Sequence, residues 1–162
     1  MILHYFTKKE NNDKKIAQEF YKKILYQSNN LLKKNKFFKK SDFNSSFEIV
    51  SIFLIFYIKL HIQFKTTNYK KINEYLIETF VLDLDDSLRS KGIGDMSIGK
   101  YVKSYVKKFY FRISKFPHDN NLYKNNDFIE YLKLTDLIKN DNYVYVSRIF
   151  NDKFSNFINT SN

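Results

Sequence analysis

The chain has no cysteine and no tryptophan, and only one proline, three glycines and one alanine in 162 residues. Without a thiol there is no disulfide, no thiolate metal site and no cysteine nucleophile. With so little proline and glycine, long stretches run without backbone punctuation, which favours helices over a turn-rich β fold. Arginine is scarce too, 3 against 25 lysines, so the bidentate base contact of sequence-specific nucleic-acid readers is nearly unavailable. The most apolar stretch, Ile49 to Ile58, meets Lys59, His61 and Gln63 well short of the ~18 residues that span a bilayer, and reads as a buried core helix. The start, Met1 to Lys9, puts its charge after its apolar residues and offers neither a small-residue cleavage site nor an arginine-rich leader, so no signal or transit peptide is read there.

What the chain does have is apolar and aromatic mass. Hydrophobic residues are 43% of the total, with 17 Phe and 13 Tyr, a content incompatible with disorder. At this length one domain buries roughly 70% of its unfolded surface, enough for a genuine core. The net charge of +11 is unevenly placed: residues 1–40 carry 11 lysines against 3 acids, and residues 97–116 carry 5 lysines and Arg112 with no acid. Two basic faces are expected, suited to RNA or to an anionic membrane surface, or serving only to keep the chain soluble. Phe20, Tyr21, Phe37 and Phe38 lie in the first of them and would accompany its lysines to lipid. Lys, Asn, Ile, Phe and Tyr are the residues an AT-rich genome favours, so compositional drift is the alternative to selection as the source of part of the lysine excess.

The pattern predicts an all-α fold, a single compact helical domain of about six helices. They are placed near Glu10 to Tyr26, Phe47 to Lys65, Tyr69 to Arg89, Ser97 to Phe116, Asp127 to Lys139 and Tyr143 to Ile158. Residues 1–40 form a basic N-terminal segment and 41–162 the main helical part. Asn29-Asn30, Asn120-Asn121 and Asn125-Asn126 are expected at joints. Tyr143 to Val146 has strand-like composition inside the last helix.

The best-patterned segment is 97–116. Ile98, Val102, Tyr105, Phe109, Ile113 and Phe116 recur at helical spacing, with Tyr101 and Val106 beside them, while Lys100, Lys103, Lys107 and Lys108 lie off the stripe. Two residues break that pattern. Arg112 projects within the stripe and Phe111 among the lysines. A guanidinium on a core-facing stripe requires a carboxylate or carbonyl, and Asp83 or Asp85 on the preceding helix is the expected partner, as an interhelical lock rather than a catalytic group.

All three glycines fall between Arg89 and Lys100. Gly92 suits the left-handed position after a helix, Gly94 a tight turn at positive φ, and Asp95 or Ser97 the cap of the next helix. Gly99 would admit another backbone at close range. Gly94 to Lys100 matches G-x-x-x-x-G-K, but Tyr101 stands where a phosphate loop needs Ser or Thr, and the segment before it is helical. His4, His61 and His118 lack metal-ligand spacing, and no nucleophile elbow is present, so neither an enzyme nor a metal or other cofactor is expected.

The run from Ile77-Glu78-Thr79-Phe80-Val81-Leu82-Asp83-Leu84-Asp85-Asp86-Ser87-Leu88-Arg89, through Gly92-Ile93-Gly94-Asp95-Met96-Ser97-Ile98-Gly99-Lys100, to Val102-Lys103 and Phe109-Tyr110-Phe111-Arg112, resembles the ubiquinol-cytochrome c chaperone family. The family pattern is F-x-D-x-D-x-x-L-R-x-x-G-hydrophobic-G-D-hydrophobic-x-V-G-K-x-V-K followed by F-Y-G-R. Arg89 and Arg112 fall on its arginines, whereas Phe111 replaces its glycine. The helix before it, which opens with G-R-F and contains a His in the family, here has Ser46-Phe47 and Phe53. The resemblance implies a non-enzymatic, all-helical assembly factor for respiratory complex III. It would bind newly made cytochrome b, the ribosome delivering it or a second assembly factor, in a bacterial cytoplasm beside the inner membrane or in a mitochondrial matrix. Gly92, Gly94, Asp95, Lys100, Lys103, Lys107 and Phe111 are the expected partner-binding residues, with Asp83, Asp85, Arg89, Gly99 and Arg112 structural. The alternative is a lysine-rich RNA-binding module without sequence specificity.

Overall fold

In a computed structural model the chain is all-α; residues 2–34 and 36–160 are described, with side chains from 12 to 158 except 35. Six helices follow in order: α1 (Ile2–Lys34), α2 (Phe43–Phe64), α3 (Tyr69–Ser90), α4 (Asp95–Lys115), α5 (Asn126–Thr135) and α6 (Tyr143–Thr160). The strand-like start of α6 is helical.

Three boundaries differ from the sequence reading. α1 runs straight through Asn29-Asn30, because Ala17, Tyr21, Ile24, Ser28 and Leu31 recur at steps of four and three as one buried stripe that outweighs the poor helix propensity of asparagine. α5 stops at Thr135, where Asp136 turns left-handed at φ 53°. The residues after it pair with the segment before α2: Lys39 N–H donates to Leu137 O at 2.8 Å and Lys139 N–H to Phe37 O at 2.8 Å. α2 extends beyond its apolar run to 22 residues, long and apolar enough by length and composition to cross a membrane, yet 72% of its most apolar window is buried.

The chain divides into two units. The first comprises Met1–Gln27 and Phe53–Tyr110. Its core is built from Ala17, Tyr21 and Ile24 of α1, Phe53 to Tyr57 of α2, Leu76, Phe80, Leu84 and Leu88 of α3, and Ile98 and Phe109 of α4. Phe80 and Phe109 pack with centroids 4.9 Å apart. The Tyr21 hydroxyl donates to Asp83 at 2.7 Å, so Asp83 ties α3 to α1.

His61 is buried in this unit. Its Nδ1 lies 2.7 Å from Asn73 Oδ1, and the Asn73 amide donates to Ile58 O at 3.3 Å. The Phe20 ring sits 5.0 Å away. Burial holds the imidazole below the usual histidine range, and the bond to Asn73 offsets only part of that. The folded chain therefore resists a proton that the unfolded chain accepts near pH 6.5, so stability declines as pH falls below about 6.5 and levels off once the folded imidazole also titrates. Urea midpoints at pH 7.5, 6.5 and 5.5 should decline in that order for the native chain and much less for His61→Gln. Equal midpoints for the native chain would remove His61 from the acid response.

The second unit comprises Ser28–Ile52 and Phe111–Asn162. Its core is aromatic: Phe116, Phe128, Tyr131, Phe150 and Phe154 are all buried, with Phe116 edge-on to Tyr131 at 5.0 Å and Phe128 edge-on to Phe150 at 5.9 Å. Asn125 caps α5 by accepting the Phe128 N–H at 3.1 Å.

Candidate docking surface

The corner between α3 and α4 lies wholly in the first unit. α3 ends in a Schellman motif: Gly92 N–H donates to Arg89 O at 2.8 Å and Ile93 N–H to Leu88 O at 3.3 Å. Gly92 holds φ +87°, the left-handed conformation its position predicts. Arg89 closes the corner, its Nε donating to Asp85 and its Nη1 to Asp95, the first residue of α4. Those two carboxylates raise the guanidinium's affinity for its proton.

Gly94 and Gly99 do not play the parts expected of them. Gly92 is the only glycine at positive φ, and a Cβ added at any of the three would meet nothing within 4 Å. Among the described residues nothing comes within 4 Å of a Cβ placed at Gly99. Nor do Asp95 and Ser97 occupy the cap position: α4 opens at Asp95, and the carbonyl of Gly94 accepts from the N–H groups of Ser97 and Ile98.

α4 presents its residues as a helix must. Ile98 and Phe109 are buried, and Lys100, Lys103 and Lys107 are exposed. Tyr101, read as flanking the apolar stripe, is about half exposed instead. Its direction, three residues from Ile98 but only one from Lys100, falls on the boundary between the two faces.

Arg112 and Phe111 belong to the second unit. Arg112 is buried, as its place on the stripe requires, but its partner is Glu48, not Asp83 or Asp85. Nε donates to Glu48 Oε2 at 2.9 Å, Nη2 to Oε1 at 2.8 Å, and Nη2 also to Leu134 O at 2.8 Å. The side chains are 7% and 2% exposed. Burial pulls the guanidinium's pKa down, but the bonds and charge of Glu48 more than offset this and the net shift is upward. Tyr131 lies close by, its hydroxyl without a hydrogen bond among the described residues; burial, reinforced by the Glu48 charge, pushes its pKa up. Asp83 and Asp85 are satisfied elsewhere, by Tyr21 and Arg89.

Glu48 went unread from the sequence, although a signal existed. It is the single carboxylate of α2, set between Phe47 and Ile49, and a lone acid in an apolar helix implies a buried cation. Beside the pair, Phe111 and Leu134 are each about half exposed. Together with Phe116, Tyr131 and the charged Lys115, Asp127 and Glu130 they line an open cavity of about 440 Å³.

The expected partner-binding residues lie at three places along the chain: Gly92, Gly94 and Asp95 at the corner, Lys100, Lys103 and Lys107 along α4, and Phe111, four residues beyond Lys107, at the cavity. The corner, the lysines and the paired Arg112 all fall within one stretch of recognisable sequence. Residues 40–117 match the ubiquinol-cytochrome C chaperone family. That description supports a chaperone role connected with ubiquinol-cytochrome c reductase. The fold is shared with the Cbp3 homolog from Brucella abortus: its crystal structure superposes with a TM-score of 0.69 over 91% of this chain and 83% of that one, at 21% sequence identity. No curated protein matches the sequence.

Proposed function

We propose that the protein is a non-enzymatic assembly factor that holds newly made cytochrome b during biogenesis of the ubiquinol-cytochrome c reductase complex. What carries this reading is the family match over residues 40–117, a stretch that contains both the clamped α3–α4 corner and the buried Arg112. The Phe111–Leu134 cavity suits such a client. A nascent membrane protein displays apolar side chains before it is assembled, and an open cavity flanked by two exposed apolar residues offers them cover.

Phe111 and Leu134 are each about half exposed, so the circular dichroism and cellular level of a variant at both positions report whether it keeps the fold. The double variant Phe111→Asp, Leu134→Asp, placed in the chromosome of the respiring host, should accumulate to normal levels yet leave the cells with assembled complex III and spectroscopic cytochrome b reduced as far as in a deletion strain. Normal complex III in the deletion strain would overturn the function. Loss in the deletion strain but not in the double variant would move the client contact elsewhere.

A further inference from the structure

The aromatic residues that would have taken the N-terminal basic segment to lipid are not available for it. Tyr21 and Phe38 are buried, and Phe20 packs against Tyr57 and His61. Phe37 packs against Tyr145 at 4.6 Å. α4 offers what that segment does not. Met96, Lys100, Lys103, Lys107 and Tyr110 succeed one another at steps of four, three, four and three, so they form one straight stripe about 21 Å long, parallel to the helix axis. All five are exposed, Met96 entirely and Tyr110 by about half. None of the three lysines takes part in an ion pair among the described residues, and no carboxylate occurs in the sequence between Asp95 and Asp119. Asp95 itself is engaged by Arg89.

We infer that this stripe docks the protein on the surface of an anionic phospholipid bilayer. The inference does not rest on the client reading. A straight row of cations meets a flat anionic surface along its whole length, so the three lysines reach lipid headgroups together. The ends of the row then decide between kinds of polyanion. Met96 points an uncovered thioether in the same direction as the lysines, and Tyr110 points an amphipathic ring. The headgroup boundary of a bilayer accepts both, the first by shallow insertion and the second as in the aromatic belts of membrane proteins. A nucleic-acid backbone offers the thioether nothing, and the stripe contains no arginine to read bases.

The test is flotation of the full chain with vesicles of phosphatidylcholine alone and with 30% phosphatidylglycerol, at rising salt. Binding should require the anionic lipid and weaken with salt. Because each lysine near such a surface is worth roughly a fivefold change in partitioning, the triple variant Lys100→Gln, Lys103→Gln, Lys107→Gln should bind on the order of 100-fold more weakly. Met96→Ser should bind more weakly with an unchanged salt slope, since it removes insertion and no charge. Circular dichroism of each variant, unchanged in every case, keeps the comparison free of folding effects. The inference is overturned by absence of binding to anionic vesicles, by a triple variant that floats like the native chain, or by a Met96→Ser variant with native affinity. It is overturned equally by a 20-nucleotide RNA that displaces the protein from vesicles at equal phosphate concentration.

Discussion

Replacing Arg112 by methionine is expected to lower the free energy of unfolding by about 3–5 kcal/mol, the usual consequence of removing one partner of a buried ion pair. The reason is the state in which Glu48 is left. Its side chain is 2% exposed, so the carboxylate loses both guanidinium bonds without gaining water. The carbonyl of Leu134 loses its donor from Arg112 as well. For a chain of this size each kcal/mol is worth roughly 2–4 °C, so the melting temperature should fall by about 10 °C.

A second substitution separates this account from simple loss of packing. Glu48→Leu in the Arg112→Met background removes the buried carboxylate, and a well-packed apolar replacement of a buried pair is commonly neutral or better. The double variant should therefore recover most of what the single one loses. If Arg112→Met costs less than about 1 kcal/mol, the pair behaves as a surface salt bridge and the burial described for it is wrong. If the double variant is no better than the single one, the loss comes from the cavity left by the guanidinium stem rather than from the carboxylate.

This pair marks the limit of what could be read from sequence. The buried position of Arg112 follows from helical periodicity within twenty residues, which is local information, and so does the exposure of Phe111 among the lysines. The identity of the partner depends on which helix lies across from it. The acids of the preceding helix, Asp83 and Asp85, are the economical choice, but Glu48 is 64 residues away, and although each segment signals a buried charge, neither signal names the other. The same division explains the glycines. The need for a left-handed residue after α3 is a property of one helix end, and Gly92 meets it. Whether another backbone approaches Gly99 is a property of the packed structure, and among the described residues none meets the position of its Cβ. The end of α5 was misplaced for a related reason: the backbone pairing of residues 137–139 with 37–39 competes with helix continuation, and that competition is invisible to periodicity. The cavity beside Phe111 was foreseen only as one exposed aromatic, because Leu134 and Tyr131 come from a helix not yet placed against it.

Gly92 and Gly99 give opposite expectations for the same chemical change. At Gly92 the space around a new Cβ is empty, but φ is +87°. The strain is therefore purely local, about 1–2 kcal/mol for alanine and toward 3 kcal/mol for the β-branched valine. Relieving it would require undoing the two Schellman bonds to Arg89 O and Leu88 O, and with them the approach of Arg89 to Asp95. At Gly99 the backbone is helical, the space is again empty, and no left-handed φ is needed. Gly99→Ala should stabilise by about 0.5–1 kcal/mol, because alanine restricts the unfolded chain and favours the helix. Paired urea titrations of Gly92→Val and Gly99→Ala should thus move the midpoint in opposite directions with unchanged slope. A Gly92→Val chain as stable as the native one would show that the corner does not depend on its left-handed residue. A Gly99→Ala chain that loses stability would show that a neighbour crowds that position after all.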